Sequence, residues 1–187
     1  MDPKKLVDLM VEAGKLKKLR RTGWVDSGVP RPESVADHSF RTALLSLVLA
    51  DAERLDTMKV VRMALIHDLA EVTLGDLTPN QKLIRGEAHE IAEGEIMDKF
   101  MDLLNDRVRE LFLEAWEEYV AGESDEAVLV KDADKLEMVI QALEYEESGE
   151  LVRSGMRFWH AKPVGALTSE IYNELKRRRS QVTAAKI

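Results

Sequence analysis

Apolar residues recur at intervals of three and four along nearly the whole chain, and no stretch sustains the alternation of β-branched and aromatic residues that a half-buried strand requires. That periodicity predicts an all-α protein. At 187 residues the chain suffices for one helical-bundle domain over 1–187 with a real core. Helices are expected over about 3–19, from near Glu33 and Ser34 onward, and over about 56–72, 87–104, 106–121, 124–147 and 168–181. Gly23, Gly28, Pro30 and Pro32 punctuate residues 22–32 and predict a loop without regular structure, and residues 75–80 predict a second loop.

Composition removes several classes of function. Without cysteine the chain has no disulfide, no thiolate metal site and no thiol nucleophile, which suits a reducing compartment, and the cytoplasm is expected. A formal net charge of −8 argues against nucleic acid as a partner, because such binding is driven by an excess of Lys and Arg. The basic runs Lys15 to Arg21 and Lys176 to Arg179 read as solvated helix ends. No apolar segment follows Met1–Lys5 as a leader would require, and the run from Ala43 to Ala50 is too short to span a bilayer, so no membrane association is expected.

Against that background His38, the adjacent pair His67 and Asp68, and Asp134 stand out. Two imidazoles and two carboxylates suit a divalent cation with one or two positions left open for water and a substrate oxygen, and the expected chemistry is hydrolysis. The donor set favours cobalt, manganese, magnesium, iron or nickel over structural zinc. The ordinary alternatives are a core or capping histidine and an aspartate bonded to Lys135. Asp134, however, lies mid-helix beside Val130, Ala133 and Met138, where an unpaired charge is expensive and a cation resolves the cost.

Glu71, four residues after His67 and three after Asp68, is expected on an adjoining part of one helix face, positioned to orient water, act as acid or base, or ligate a second ion. Asp76 reads equally as a cap or turn former. His89 and His160 fit no ligand set and read as incidental. Arg21, Arg31 and Arg41 are candidates for a phosphate dianion, and Trp24 for covering a sugar or base.

The ordered segments Arg20-Arg21-Thr22-Gly23-Trp24-Val25, Arg31 to Ser39, His67-Asp68-Leu69-Ala70-Glu71, Gly75-Asp76-Leu77 and Val130 to Leu136 resemble the HD-domain superfamily of metal-dependent phosphohydrolases, and within it the 5′-deoxynucleotidase family. The resemblance covers about residues 3–150, leaving about 151–187 as a helical extension. It implies an all-α domain, a homodimer, and hydrolysis of deoxyribonucleoside 5′-monophosphates to deoxynucleoside and phosphate. It also implies that His38, His67, Asp68 and Asp134 hold the metal, the family pattern selecting Asp134 over Asp132. Arg21 orients the phosphate, Glu71 serves the attacking water, and Asp76 is a further catalytic residue. The substrate contacts implied are Arg21, Trp24, His38, Asp68, Asp76, Leu77 and Thr78, and a second ion is implied at Glu71 and Asp76. The chain departs from the bacterial pattern in placing Thr22 and Gly23 between Arg21 and Trp24. Two rival readings are an HD phosphohydrolase acting on cyclic or polyphosphorylated nucleotides, and a non-catalytic helical module that binds nucleotides or a protein.

Overall fold

A computed structural model describes residues 1–151 and 155–185, and among them the fold is all-α. The helices are α1 Pro3–Ala13, α2 Thr22–Asp26, α3 Val35–Glu53, α4 Thr57–Ile66, α5 Glu71–Leu74, α6 Pro79–Arg85, α7 Glu87–Met101, α8 Asp106–Ala121, α9 Asp125–Ser148 and α10 Ala166–Ala185. Short 3₁₀ segments occupy Gly14–Lys17 and Gly155–His160.

Helix starts follow local chemistry. Ser34 and Asp37 form a reciprocal capping box at α3, with Ser34 N–H donating to the Asp37 carboxylate at 2.9 Å. Asp56 caps α4 through Lys59 N–H at 3.0 Å, and Ser124 caps α9 through Ala127 N–H at 3.2 Å. Helix α9 is the central pillar, packed against α3, α4, α8 and α10. Its buried Ala127, Val130, Ala133, Leu136, Val139 and Leu143 recur every three or four residues, so each turn contributes to the interior.

Three apolar clusters surround that pillar. One joins Val35, Leu69, Met97, Phe100 and Trp116; a second joins Ala50, Val60, Met63, Ala115 and Val130. The third brings Leu151, Phe158, Trp159 and Leu175 from the C-terminal extension onto Trp24, Leu136 and Leu143.

The structure corrects several expected boundaries. The first helix ends at Ala13 rather than near 19, its last turns tightening to 3₁₀. Residues 22–32 are not wholly irregular, because Thr22–Asp26 closes one helical turn that packs Trp24 inward. The helix expected over 56–72 stops at Ile66; bonds spaced three residues apart, Leu69 N–H to Ile66 O and Glu71 N–H to Asp68 O, turn the chain before α5. The loop at 75–80 gives way to α6 at Pro79, which sits in the first turn, where its missing N–H is harmless.

Candidate metal centre

The four candidate donors arrive on three elements. His38 lies in the second turn of α3, His67 and Asp68 in the turn closing α4, and Asp134 midway along α9. The two imidazoles are buried, edge to face with centroids 5.5 Å apart. Each Nδ1 has a fixed partner: His67 Nδ1–H donates to Ala64 O at 2.8 Å, and His38 Nδ1 meets the Glu137 carboxylate. Those partners place the proton on Nδ1 and leave the Nε2 lone pairs directed into the site.

Neither buried Nε2 makes a hydrogen bond of acceptable geometry, although carboxylates surround both. His38 Nε2 stands 3.0 Å from Asp134 Oδ1 and 3.7 Å from Asp68 Oδ2, and His67 Nε2 stands 3.2 Å from Asp68 Oδ2. Ligand atoms of His38, His67 and Asp134 all lie within 4.8 Å of one another. Two unsatisfied imidazole nitrogens facing carboxylates are a donor set that fits a divalent cation. Without a cation, although burial and Arg21 oppose charging, Asp134 and Glu137 push His38 up to about 10, so the pocket favours positive charge at that point, carried by a proton on Nε2 that a bound cation would displace.

Outside the donors, Glu137 is fully buried and holds His38 on one side and Arg41 Nε on the other, the latter at 2.8 Å. Arg41 also reaches Glu144 at 2.8 Å and Gln141 at 2.6 Å, so it anchors the back of the site and does not face substrate. Sequence reading missed Glu137; its position three residues after Asp134 on the same helix was the available signal.

Arg21 is held near the donors by the antiparallel bridge between Arg20 and Ser34, with Arg21 N–H donating to Glu33 O at 3.1 Å. One terminal nitrogen donates to Asp68 at 3.3 Å and to Asp76 at 3.0 Å. Asp76 also accepts from Thr22 N–H, so both its oxygens are engaged by protein. Arg31 is far more exposed and pairs with Glu150.

Glu71 is buried in the cavity wall, with Lys82 Nζ 3.4 Å from Oε1 and no partner on Oε2. Burial first, then Asp68 and Asp76, push its carboxyl up to about 9. The helix break after Ile66 means that Glu71 reaches the site from α5 rather than along one continuous helix face.

Trp24 is 1% exposed, packed against Tyr145 and Phe158, and its Nε1–H donates to Glu33 at 2.9 Å. It reaches the substrate side only as part of the wall of a cavity of about 440 Å³ shared with Arg21, Asp76, Leu77 and Thr78. The Thr78 hydroxyl is engaged as the cap of α6. A larger cavity of about 710 Å³ contains His67, Asp68, Glu71 and Asp134, and Arg21, Leu77, Pro79 and Met138 line both.

Asp132, the competitor of Asp134, is 1% exposed and points away from the donors. It accepts hydrogen bonds from Val164 N–H at 2.7 Å, Gly165 N–H at 2.9 Å and Thr168 Oγ1 at 2.7 Å, securing the start of α10. His160 is exposed, whereas His89 is buried in the wall of the larger cavity, a placement its sequence context did not signal.

This arrangement of helices and paired His-Asp residues is that of an HD domain, and the chain belongs to that family: the HD-domain model matches residues 13–164. Among curated relatives it is 43% identical over 141 residues to 5′-deoxynucleotidase HDDC2 of Dictyostelium discoideum, covering 72% of this chain and 74% of that one. It is 42% identical to the human protein of the same name, covering 76% and 69%. Among solved structures, the PH0347 protein of Pyrococcus horikoshii OT3 superposes with a TM-score of 0.76 at 33% identity, covering 92% of this chain and 99% of that one. Among the described residues no helix is long and apolar enough to cross a membrane.

Proposed function

We propose that this protein is a metal-dependent 5′-deoxynucleotidase that hydrolyses deoxyribonucleoside 5′-monophosphates to deoxynucleoside and phosphate. The observation that carries this reading is the pair of buried, unsatisfied Nε2 atoms of His38 and His67 facing Asp68 and Asp134 beside Arg21, in a chain whose relatives carry that name. His38, His67, Asp68 and Asp134 hold the divalent cation, which supplies Lewis acidity toward a phosphate oxygen and lowers the pKa of water. A second ion at Glu71 and Asp76 is less well supported, because the Asp76 oxygens are engaged by Arg21 and Thr22.

Arg21 is oriented by Asp68 and Asp76, so its remaining N–H groups are pre-set to bind phosphate oxygens without reorganisation. Glu71 turns its unpaired Oε2 to the site; a cation beside Asp68 would offset the carboxylate charges that raise Glu71, so that it takes the proton of the attacking water as the new P–O bond forms and passes it to the 5′ oxygen as that bond breaks. Leu77 and Thr78 line the sugar side, and Trp24 supports that wall from behind through Phe158 and Glu33.

We further propose that residues 1–187 act as one domain, that the protein is a homodimer, and that it works in the cytoplasm. Support for pairing comes from α3, whose outer face exposes Phe40, Leu44 and Val48 at four-residue spacing, Phe40 by 70%. Absence of cysteine supports the compartment.

The test is phosphate release from deoxyribo- and ribonucleoside 5′-monophosphates by chelator-stripped protein resupplied with cobalt, manganese, magnesium, iron or nickel. Metal-restored, deoxy-selective release is expected, with Asp68→Ala inactive but folded. Undiminished release by that variant would overturn the assignment.

A further inference from the structure

Beyond the metal donors the larger cavity continues into a lobe whose far wall is the start of α7. Gly86, at φ 52°, precedes that helix and supplies no side-chain cap to the N–H groups of its first turn. An uncapped helix start carries partial positive charge, although the His89 N–H is itself bonded to Gly86 O at 2.9 Å. His89, in that same turn, is 7% exposed and lines the cavity, and neither Nδ1 nor Nε2 has a hydrogen-bond partner. His38 and His67 each have Nδ1 engaged, so His89 alone among the buried histidines is unsatisfied at both ring nitrogens. Buried polar atoms are retained unpaired where a ligand pairs them.

The charges around the lobe favour an anion. Lys82 enters from α6, 3.4 Å from Glu71, and Lys135 from α9, 3.7 Å from Asp132, both at pairing distances long enough to leave donors for a ligand. Of the acids nearest the start of α7, Glu90 is exposed to solvent, and Asp68 and Asp134 stand at the donor end of the cavity.

We propose that this lobe is a second oxyanion subsite, in which the His89 ring and Lys82, aided by the partial positive charge at the start of α7, take a phosphate group additional to the one held at Arg21. The identity of the neighbouring phosphate rests on the phosphohydrolase reading. The second phosphate has two sources of the same chemistry: inorganic phosphate standing beside a bound monophosphate, or the outer phosphate of a nucleoside diphosphate.

Calorimetric titration of the full-length, chelator-stripped protein separates them, with inorganic phosphate, dAMP and dADP as probes and His89→Leu and Lys82→Met as variants. Saturable phosphate binding that persists with dAMP present, and whose affinity relative to dAMP falls at least tenfold in both variants, establishes the free-phosphate source. Tighter binding of dADP than dAMP by tenfold or more, lost in His89→Leu, establishes the outer-phosphate source. Because the His89 ring makes no hydrogen bond to protein, the melting temperature of His89→Leu is expected at or above that of wild type. Phosphate and dADP affinities unchanged in both variants, or a clear fall in melting temperature for His89→Leu, would overturn the proposal. No turnover is read, so this outcome is independent of whether monophosphates are substrates.

Discussion

Asp132 and Asp134 sit two residues apart on α9 and should fail in opposite ways when replaced. Asp132→Ala removes three hydrogen bonds to a buried carboxylate and leaves the Val164 and Gly165 N–H groups without that acceptor. At ~1 kcal/mol for each bond, with water recovering part of the loss at the two N–H groups and charge assistance raising it, the cost is about 3 kcal/mol. One kcal/mol moves the melting temperature of a chain this long by roughly 2–4 °C, so a fall of about 6–12 °C is expected. Metal affinity, measured by competition with a chromophoric chelator below that melting point, should be unchanged. Asp134 instead is partly open to solvent and faces His38 at 3.0 Å. Asp134→Asn leaves the anchor of α10 intact and removes only the carboxylate beside His38, so the melting temperature of metal-free protein should fall by less than in Asp132→Ala. Its metal affinity should fall by more than the roughly 10–100-fold expected of an outer partner. Loss of metal binding in Asp132→Ala, or retention of it in Asp134→Asn, would refute the division of labour.

Two further outcomes follow from the back of the site. Glu137→Gln preserves shape but removes the charge between His38 and Arg41; metal affinity should drop about 10–100-fold while Arg41 keeps Glu144 and Gln141, and an unchanged chelator titration would contradict the positioning role. Glu33 is raised to about 7, first by burial and then by Glu137. A folded value above the unfolded one means that its stabilisation is complete below about 4.5 and is lost as pH rises through about 7. In metal-free melts Glu33→Gln should thus match wild type at pH 5 and exceed it at pH 8; an equal difference at both pH values would remove the electrostatic explanation.

Long, strongly periodic elements were legible because their signals are local. The α3 capping box, the Asp56 and Ser124 caps and the apolar rows of α9 can each be read within a few residues, and they deliver His38 and Asp134 to positions facing each other. The break after Ile66 was not legible, since Leu69, Ala70 and Glu71 are good helix formers and the turn is enforced by packing of Leu69 and Ala70 into the first core cluster. Trp24 reads from its loop as a cover for a sugar or base, but it is buried by partners, Tyr145 and Phe158, that lie more than a hundred residues away. Glu137 and Arg41 are likewise defined by a contact between helices, which no single-segment pattern encodes. His89 lacked any motif because its significance lies in the hydrogen bonds it does not make.

Between Gly75 and Gly86, both at positive φ, the chain forms a short helix with no buried residue, its Leu83 and Ile84 turned largely to solvent. This segment nevertheless contributes Leu77, Pro79 and Lys82 to cavity walls, while the donors stand on α3, α9 and the turn closing α4. Under the proposed function, shape selection and bond-breaking fall to parts of the chain with very different mechanical constraint. Mutations can accumulate in 79–85, changing which molecules are admitted, at little expense to folding, whereas the proposed donor-bearing helices tolerate far fewer; a lineage built on this plan can diversify its diet while its chemistry stands still.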